Sequence, residues 1–183
     1  MREVGLESNH LVLDFAKDLI AGKFDLVIFM TGVGVRAMVE IVKAKGDVEP
    51  FLAALRTVKI AARGAKPSTS LRELKIPVEV TSDEPSTWHE LLEAIDEEFG
   101  TLLPTMNVAV QEYGASNPEL LSELSSRTLT LTKVPVYQWA LPLDLQPLRD
   151  TVSAVIDGRI DVVLFMTAVQ VIHLFQVAEE LRR

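Results

Sequence analysis

Four stretches of this sequence place glycine, threonine and basic residues where a chain can grip an anion. They are Thr31-Gly-Val-Gly34, Arg63-Gly-Ala-Lys-Pro67, Glu112-Tyr-Gly-Ala-Ser-Asn117 and Thr167-Ala-Val-Gln170. Each follows a short apolar run and precedes a helical pattern, so the unpaired N–H groups of a new helix face out of the turn. Such groups hold carboxylates or phosphates without a basic protein, and Arg36, Arg63 and Lys66 add local positive charge. For Thr31 and Thr167 the plainer alternative is a helix cap. Gly32-x-Gly34-x-x-Ala37 also has the spacing of a dinucleotide-binding turn. Against that reading, no acid is well placed at the end of a second strand about 20 residues on.

Other chemistry is hard to assemble. His10, His89 and His173 lack the spacing of metal ligands, and the chain has no cysteine, which removes thiolate zinc sites and a cysteine nucleophile. No catalytic carboxylate pair or Ser-His-Asp arrangement can be assigned. Asp83-Glu84 and Asp96-Glu97-Glu98 read as solvated faces, and Met30 and Met166 as core filler. Activity would rest on binding, shape and backbone dipoles.

With 183 residues, 48% of them hydrophobic and 24% charged, the chain is long and apolar enough to fold, which excludes disorder. A net charge of −8 argues against non-specific nucleic-acid binding. The greasiest stretch, 162–178, contains Thr167, Gln170, His173 and Gln176, and spanning a bilayer takes about 20 mostly apolar residues. The opening residues lack the apolar core of a signal peptide. A cytoplasmic protein with no membrane or nucleic-acid partner is expected.

The elements that position the turns are duplicated. Residues 24–35 return as residues 160–171 at a constant offset of 136, with seven of the eleven positions from Asp25 to Val35 identical. Ala21-Gly22-Lys23 precedes one copy and Asp157-Gly158-Arg159 the other. A glycine followed by a base ends a helix. The apolar runs 26–30 and 162–166 suit strands buried on both faces. Helical spacing then follows at Val35, Met38, Val39 and Val42, and at Val171, Leu174, Phe175 and Ala178.

Between the copies, strands are predicted at 58–62, 78–80, 108–111 and 129–136. Helices are predicted at 67–74, 87–99 and 118–124, with a connector at 138–147 and a helix at 148–156. Alternation of this kind implies an α/β fold with mainly parallel sheets flanked by helices. The residues before 137 supply a complete small sheet. The second copy has one strand and two helices, too little to satisfy its edges, so its partner strands are expected from residues outside this sequence or from another molecule.

Taken together, these segments resemble the uroporphyrinogen-III synthase family. The resemblance covers nearly the whole chain and rests on residues 25–36, 59–66, 108–114, 134–139 and 161–167 in their order and spacing. It implies two similar α/β lobes joined by two linkers. Residues 1–19 would be an approach segment from the first lobe, 20–137 the complete inserted lobe, 138–144 a linker and 145–183 part of the returning lobe. The second lobe is then incomplete in this chain.

The resemblance also implies a cofactor-independent lyase of tetrapyrrole biosynthesis, acting as a monomer. Its substrate is hydroxymethylbilane, a linear tetrapyrrole with eight carboxylates. Loss of the terminal hydroxyl gives an azafulvene, and attack through the substituted carbon of the last ring gives a spiro intermediate. Rearrangement inverts that ring before closure, so the enzyme mainly holds a geometry. Tyr137 matches the tyrosine thought to assist loss of the hydroxyl, as a phenol can. On the residues alone, a Tyr packed at a strand end is an equal reading. Thr31, Thr167 and Gly64 match cleft positions, with Gly32, Val33, Arg36, Arg63, Tyr113, Gly114 and Ala168 beside them. Pro67 stands where many relatives carry threonine, so Lys66 or Ser68 is expected to substitute. The rival reading is a non-catalytic two-lobed module that binds an anionic small molecule or tetrapyrrole.

Overall fold

Apolar runs too short for helices, each separated from the next by a helix, leave the chain one way to pair its backbone: as a parallel sheet covered on both faces. That is the architecture of the computed structural model, which describes residues 2–5, 8–46, 48–114 and 116–181. The strands are β1 (Arg2–Gly5), β2 (Leu26–Phe29), β3 (Lys59–Ala62), β4 (Val80–Thr81), β5 (Asn107–Gly114) and β6 (Thr130–Ala140). The helices are α1 (His10–Ile20), α2 (Gly32–Lys43), α3 (Glu49–Leu55), α4 (Ala65–Glu73), α5 (Trp88–Phe99), α6 (Pro118–Arg127), α7 (Gln146–Ile156) and α8 (Ala168–Leu181).

The sheet runs in the order β1-β6-β5-β2-β3-β4. β2 pairs in parallel with β3 on one side and β5 on the other, and β3 pairs in parallel with β4. The chain steps outward from β2 through β3 to β4, then returns to the other side of β2 to lay down β5 and β6. Strand order therefore reverses between β2 and β5, and the carboxyl ends of those two strands are where sheets of this kind place ligands.

The chain divides into two units, Gly5–Tyr137 and residues 2–4 with 138–181. In the first, β2 is buried on both faces. Leu26, Ile28 and Met30 join Leu91, Leu92 and Ile95 of α5 and Leu120 and Leu124 of α6 in one core. On the other side of the sheet, α1, α2 and α3 pack together. There Phe15 meets Phe24 at 5.4 Å and Phe51 at 6.1 Å between ring centroids. Helix α1 packs there through Val12, Phe15, Ala16 and Leu19, all buried.

In the second unit, α7 and α8 bury Val152 and Val177, and Arg149 pairs with Glu180 at 3.6 Å. The strand expected at 162–166 does not form: this run carries no strand and lies exposed, Leu164 at 84%. The physical reason is the absence of a neighbour. β2 has β3 and β5 to satisfy its backbone, whereas among the described residues the second copy has no strand beside it.

The flanking grammar of the duplication is preserved bond for bond. Gly22 and Gly158 both adopt left-handed backbone, with φ of 70° and 68°. Gly22 N donates to Leu19 O and Lys23 N to Asp18 O, and Gly158 N donates to Val155 O and Arg159 N to Ala154 O. Each is the double bond that closes a helix through a glycine.

Candidate functional site

The candidate site begins where β2 runs out. Thr31, in extended backbone, caps α2, its Oγ1 accepting from Gly34 N at 3.0 Å. The two amides just before the helix, Met30 N and Thr31 N, both donate to Oε1 of Gln111 at 3.2 Å. Gln111 lies on β5, opposite Phe29 in register, is 1% exposed, and donates from Nε2 to Glu112 O. One glutamine thus ties the end of β2 to β5 at the reversal of strand order.

Tyr137 reaches the same place from β6. Its phenol oxygen lies 3.4 Å from Thr31 Oγ1, and the side chain is 7% exposed. Either hydroxyl can be the donor.

The turn after β3 lies alongside. Arg63 N donates to Phe29 O at 2.9 Å, and Gly64, with φ of +77°, opens α4 without a side-chain cap. α2 and α4 approach so closely that a Cβ on Gly32 would lie 2.8 Å from Lys66 O and 2.7 Å from Ser70 Oγ. Arg36 Nη1 donates to that same Ser70 Oγ at 2.7 Å. Thr31, Gly32, Val33, Arg36, Arg63, Gly64 and Lys66 are therefore brought together at two helix N-termini, with Arg36 and Lys66 exposed. Ser68 turns inward: it is buried, donates to Gly64 O at 2.8 Å and meets Thr81 Oγ1 at 3.1 Å. Its hydroxyl holds the turn rather than facing out of it.

Gly114 ends β5 in left-handed backbone, φ 60°. Tyr113 lies in that strand, and its side chain falls outside the described residues. Thr167 and Ala168 belong to the second unit, where they precede and open α8 and are exposed. The histidines stand apart from one another in their contacts. His10 meets Ser8, His89 stacks on Trp88, and His173 Nδ1 is buried with no partner among the described residues. No cluster of metal-ligating side chains occurs among the described residues.

Gln111 is the residue of the candidate site that sequence reasoning missed. The signal was present in the duplication, because position 34 is glycine in one copy and position 170 glutamine in the other. The glycine spacing resembling a dinucleotide turn is explained by packing. A Cβ on Gly34 would collide with the Gln111 amide, so glycine there makes room for a side chain of this protein.

A family model described as "Uroporphyrinogen-III synthase HemD" matches residues 3–183. The chain belongs to the uroporphyrinogen-III synthase family. Solved structures agree. The chain is similar to the native crystal structure of uroporphyrinogen III synthase from the extremely thermophilic bacterium Thermus thermophilus, with 30% identity and a TM-score of 0.63 over 97% of this chain and 63% of that one. A mutant of the same Thermus enzyme gives 29% identity and a TM-score of 0.66 over 96% and 65%. A Bacillus subtilis (strain 168) relative, "Uncharacterized protein YjjA", is 31% identical over 86% of this chain and 56% of its own length. The chain thus spans less than two thirds of each of these relatives. No helix of the described residues is long and apolar enough to cross a membrane.

Proposed function

We propose that this protein acts as a uroporphyrinogen-III synthase, a cofactor-independent hydro-lyase that closes hydroxymethylbilane with inversion of its last ring. The observation that carries this reading is the Tyr137 phenol 3.4 Å from the Thr31 hydroxyl at the reversal of strand order. A phenol held there donates its proton to the terminal hydroxyl of the substrate as the C–O bond breaks and water leaves. The azafulvene so formed is attacked through the substituted carbon of the last ring, and rearrangement of the spiro species precedes closure. The open amides of α2 and α4, with Arg36 and Lys66, take carboxylate arms of the substrate. The net charge of −8 opposes long-range attraction of a polyanion, so these local groups carry the binding. Holding the chain bent is most of the catalysis, since orientation alone decides which isomer closes.

The test is to incubate the protein with freshly prepared hydroxymethylbilane and separate the porphyrin isomers after oxidation. Isomer III is expected; isomer I alone overturns the assignment.

The burial of Tyr137 favours one other reading, a module that binds an anionic small molecule or tetrapyrrole without turning it over. Uroporphyrin raising the melting temperature of a protein that yields no isomer III would support it.

A further inference from the structure

The second copy of the duplicated unit holds its turn in a way that explains the first. In it, Gln170 Oε1 accepts from Met166 N at 2.7 Å and from Thr167 N at 3.2 Å. Those two amides are the counterparts, at the offset of 136, of Met30 N and Thr31 N. Thr167-x-x-Gln170 has the sequence of a capping box and forms the half in which the third helical residue reaches back to the amide of the capping residue, while Gln170 N donates to the Thr167 carbonyl. In the first copy that third residue is Gly34 and has no side chain to reach with. Gln111 brings the same amide group from β5, 77 positions further along the chain, onto the same two donors.

The fit is mutually exclusive. The Cβ of any residue at position 34 would overlap the Gln111 amide atoms, so the turn holds one glutamine head at a time. We infer that Gln111 is the positioning residue of the Thr31 turn, and that it is interchangeable with a glutamine at position 34. It fixes the two amides ahead of α2 and through them the Thr31 hydroxyl that meets Tyr137. Gln111 need not touch substrate. The catalytic part of this inference rests on the synthase reading above; the structural part stands without it.

The experiment uses four variants of the full chain: Gln111→Ala, Gly34→Gln, the double variant G34Q/Q111A, and Gln170→Ala. Amide hydrogen exchange at Met30 and Thr31, and the rate of isomer III formation, are read for each. Losing Gln111 should lower protection of both amides about tenfold, as expected for two bonds of ordinary strength. It should lower turnover by a similar factor while KM for hydroxymethylbilane changes less. Gly34→Gln alone should be unstable, because two side chains then claim one space. The double variant should recover protection and turnover to within about threefold of wild type, a rescue that loss of general packing would not give. Gln170→Ala should release Met166 and Thr167 and leave Met30 and Thr31 protected. It lies in a different unit, so it tests the box even where Gln111→Ala fails to fold. The inference is overturned where Gln111→Ala leaves both amides as protected as in wild type. It is equally overturned where the double variant behaves like Gln111→Ala, or where Gln170→Ala leaves Met166 and Thr167 unchanged. Wild-type protein yielding isomer I alone removes the synthase reading, and the exchange data then still decide the role of Gln111.

Discussion

Replacing Tyr137 by Phe removes one hydroxyl and leaves the ring buried on β6. Should the phenol protonate the leaving group, turnover falls about 100-fold, within the usual range for a lost general acid. Affinity for uroporphyrin changes little, since the ring and the neighbouring helix ends remain. Steady-state kinetics beside a product titration separate the two. Loss of the contact to Thr31 costs about 1 kcal/mol of stability at most. Ser68 behaves differently. Its hydroxyl serves Gly64 O from a buried position, so Ser68→Ala should lower stability by about 1 kcal/mol in a urea titration and leave KM unaltered.

Among the elements, α5 shows how far a local signal reaches. Thr87 caps it, and Glu90 Oε2 accepts from Thr87 N at 2.7 Å and from the Thr87 hydroxyl, completing a reciprocal box. That hydroxyl holds the Glu90 carboxyl below its ordinary value. A carboxyl lowered in the folded state stabilises it above the unfolded pKa, and the contribution fades as pH falls through the folded one. Thr87→Ala should therefore lower the melting temperature at neutral pH, and lower it less in acid, as read from melting curves across that range.

Helix α5 was legible because its apolar face, its threonine and its glutamate lie within one short window. α2, α8 and the glycine turns before each copy were legible for the same reason, and the duplication doubled the signal. α3 (Glu49–Leu55) escaped notice because it is only seven residues long. The run at 162–166 read as a strand because its composition matches β2, but pairing is a property of neighbours and not of composition. Of the candidate site, the threonine, the glycines and Tyr137 were legible from the turns and the family resemblance. The Ser68 hydroxyl was expected as a substitute contact beside Pro67, and only packing shows that it bonds Gly64 O and meets Thr81 Oγ1. Gln111 had no local signature, since its partners lie about 80 residues away.

At the scale of the whole chain, duplication permits a controlled comparison. Ile28 and Leu164 occupy equivalent positions, one 0% and the other 84% exposed. Ile28→Ala should destabilise the Gly5–Tyr137 unit by about 2–5 kcal/mol, because a cavity opens in a packed core. Leu164→Ala should change stability by about 0.5 kcal/mol or less. Denaturant midpoints at constant m-value measure both. Similar losses at the two positions would show that the 162–166 run is covered in solution.

The two glutamines also carry a consequence for the order of assembly. The clasp at Thr167 joins groups three and four residues apart and can close as soon as a single turn of helix nucleates, on the microsecond scale of local events. The clasp at Thr31 joins groups 80 and 81 residues apart and must await the arrival of β5, with the loop-closure entropy of the intervening chain set against it. Identical chemistry in the two copies is thus early in one and late in the other. Gln170→Ala should slow nucleation of α8, whereas Gln111→Ala should chiefly hasten unfolding.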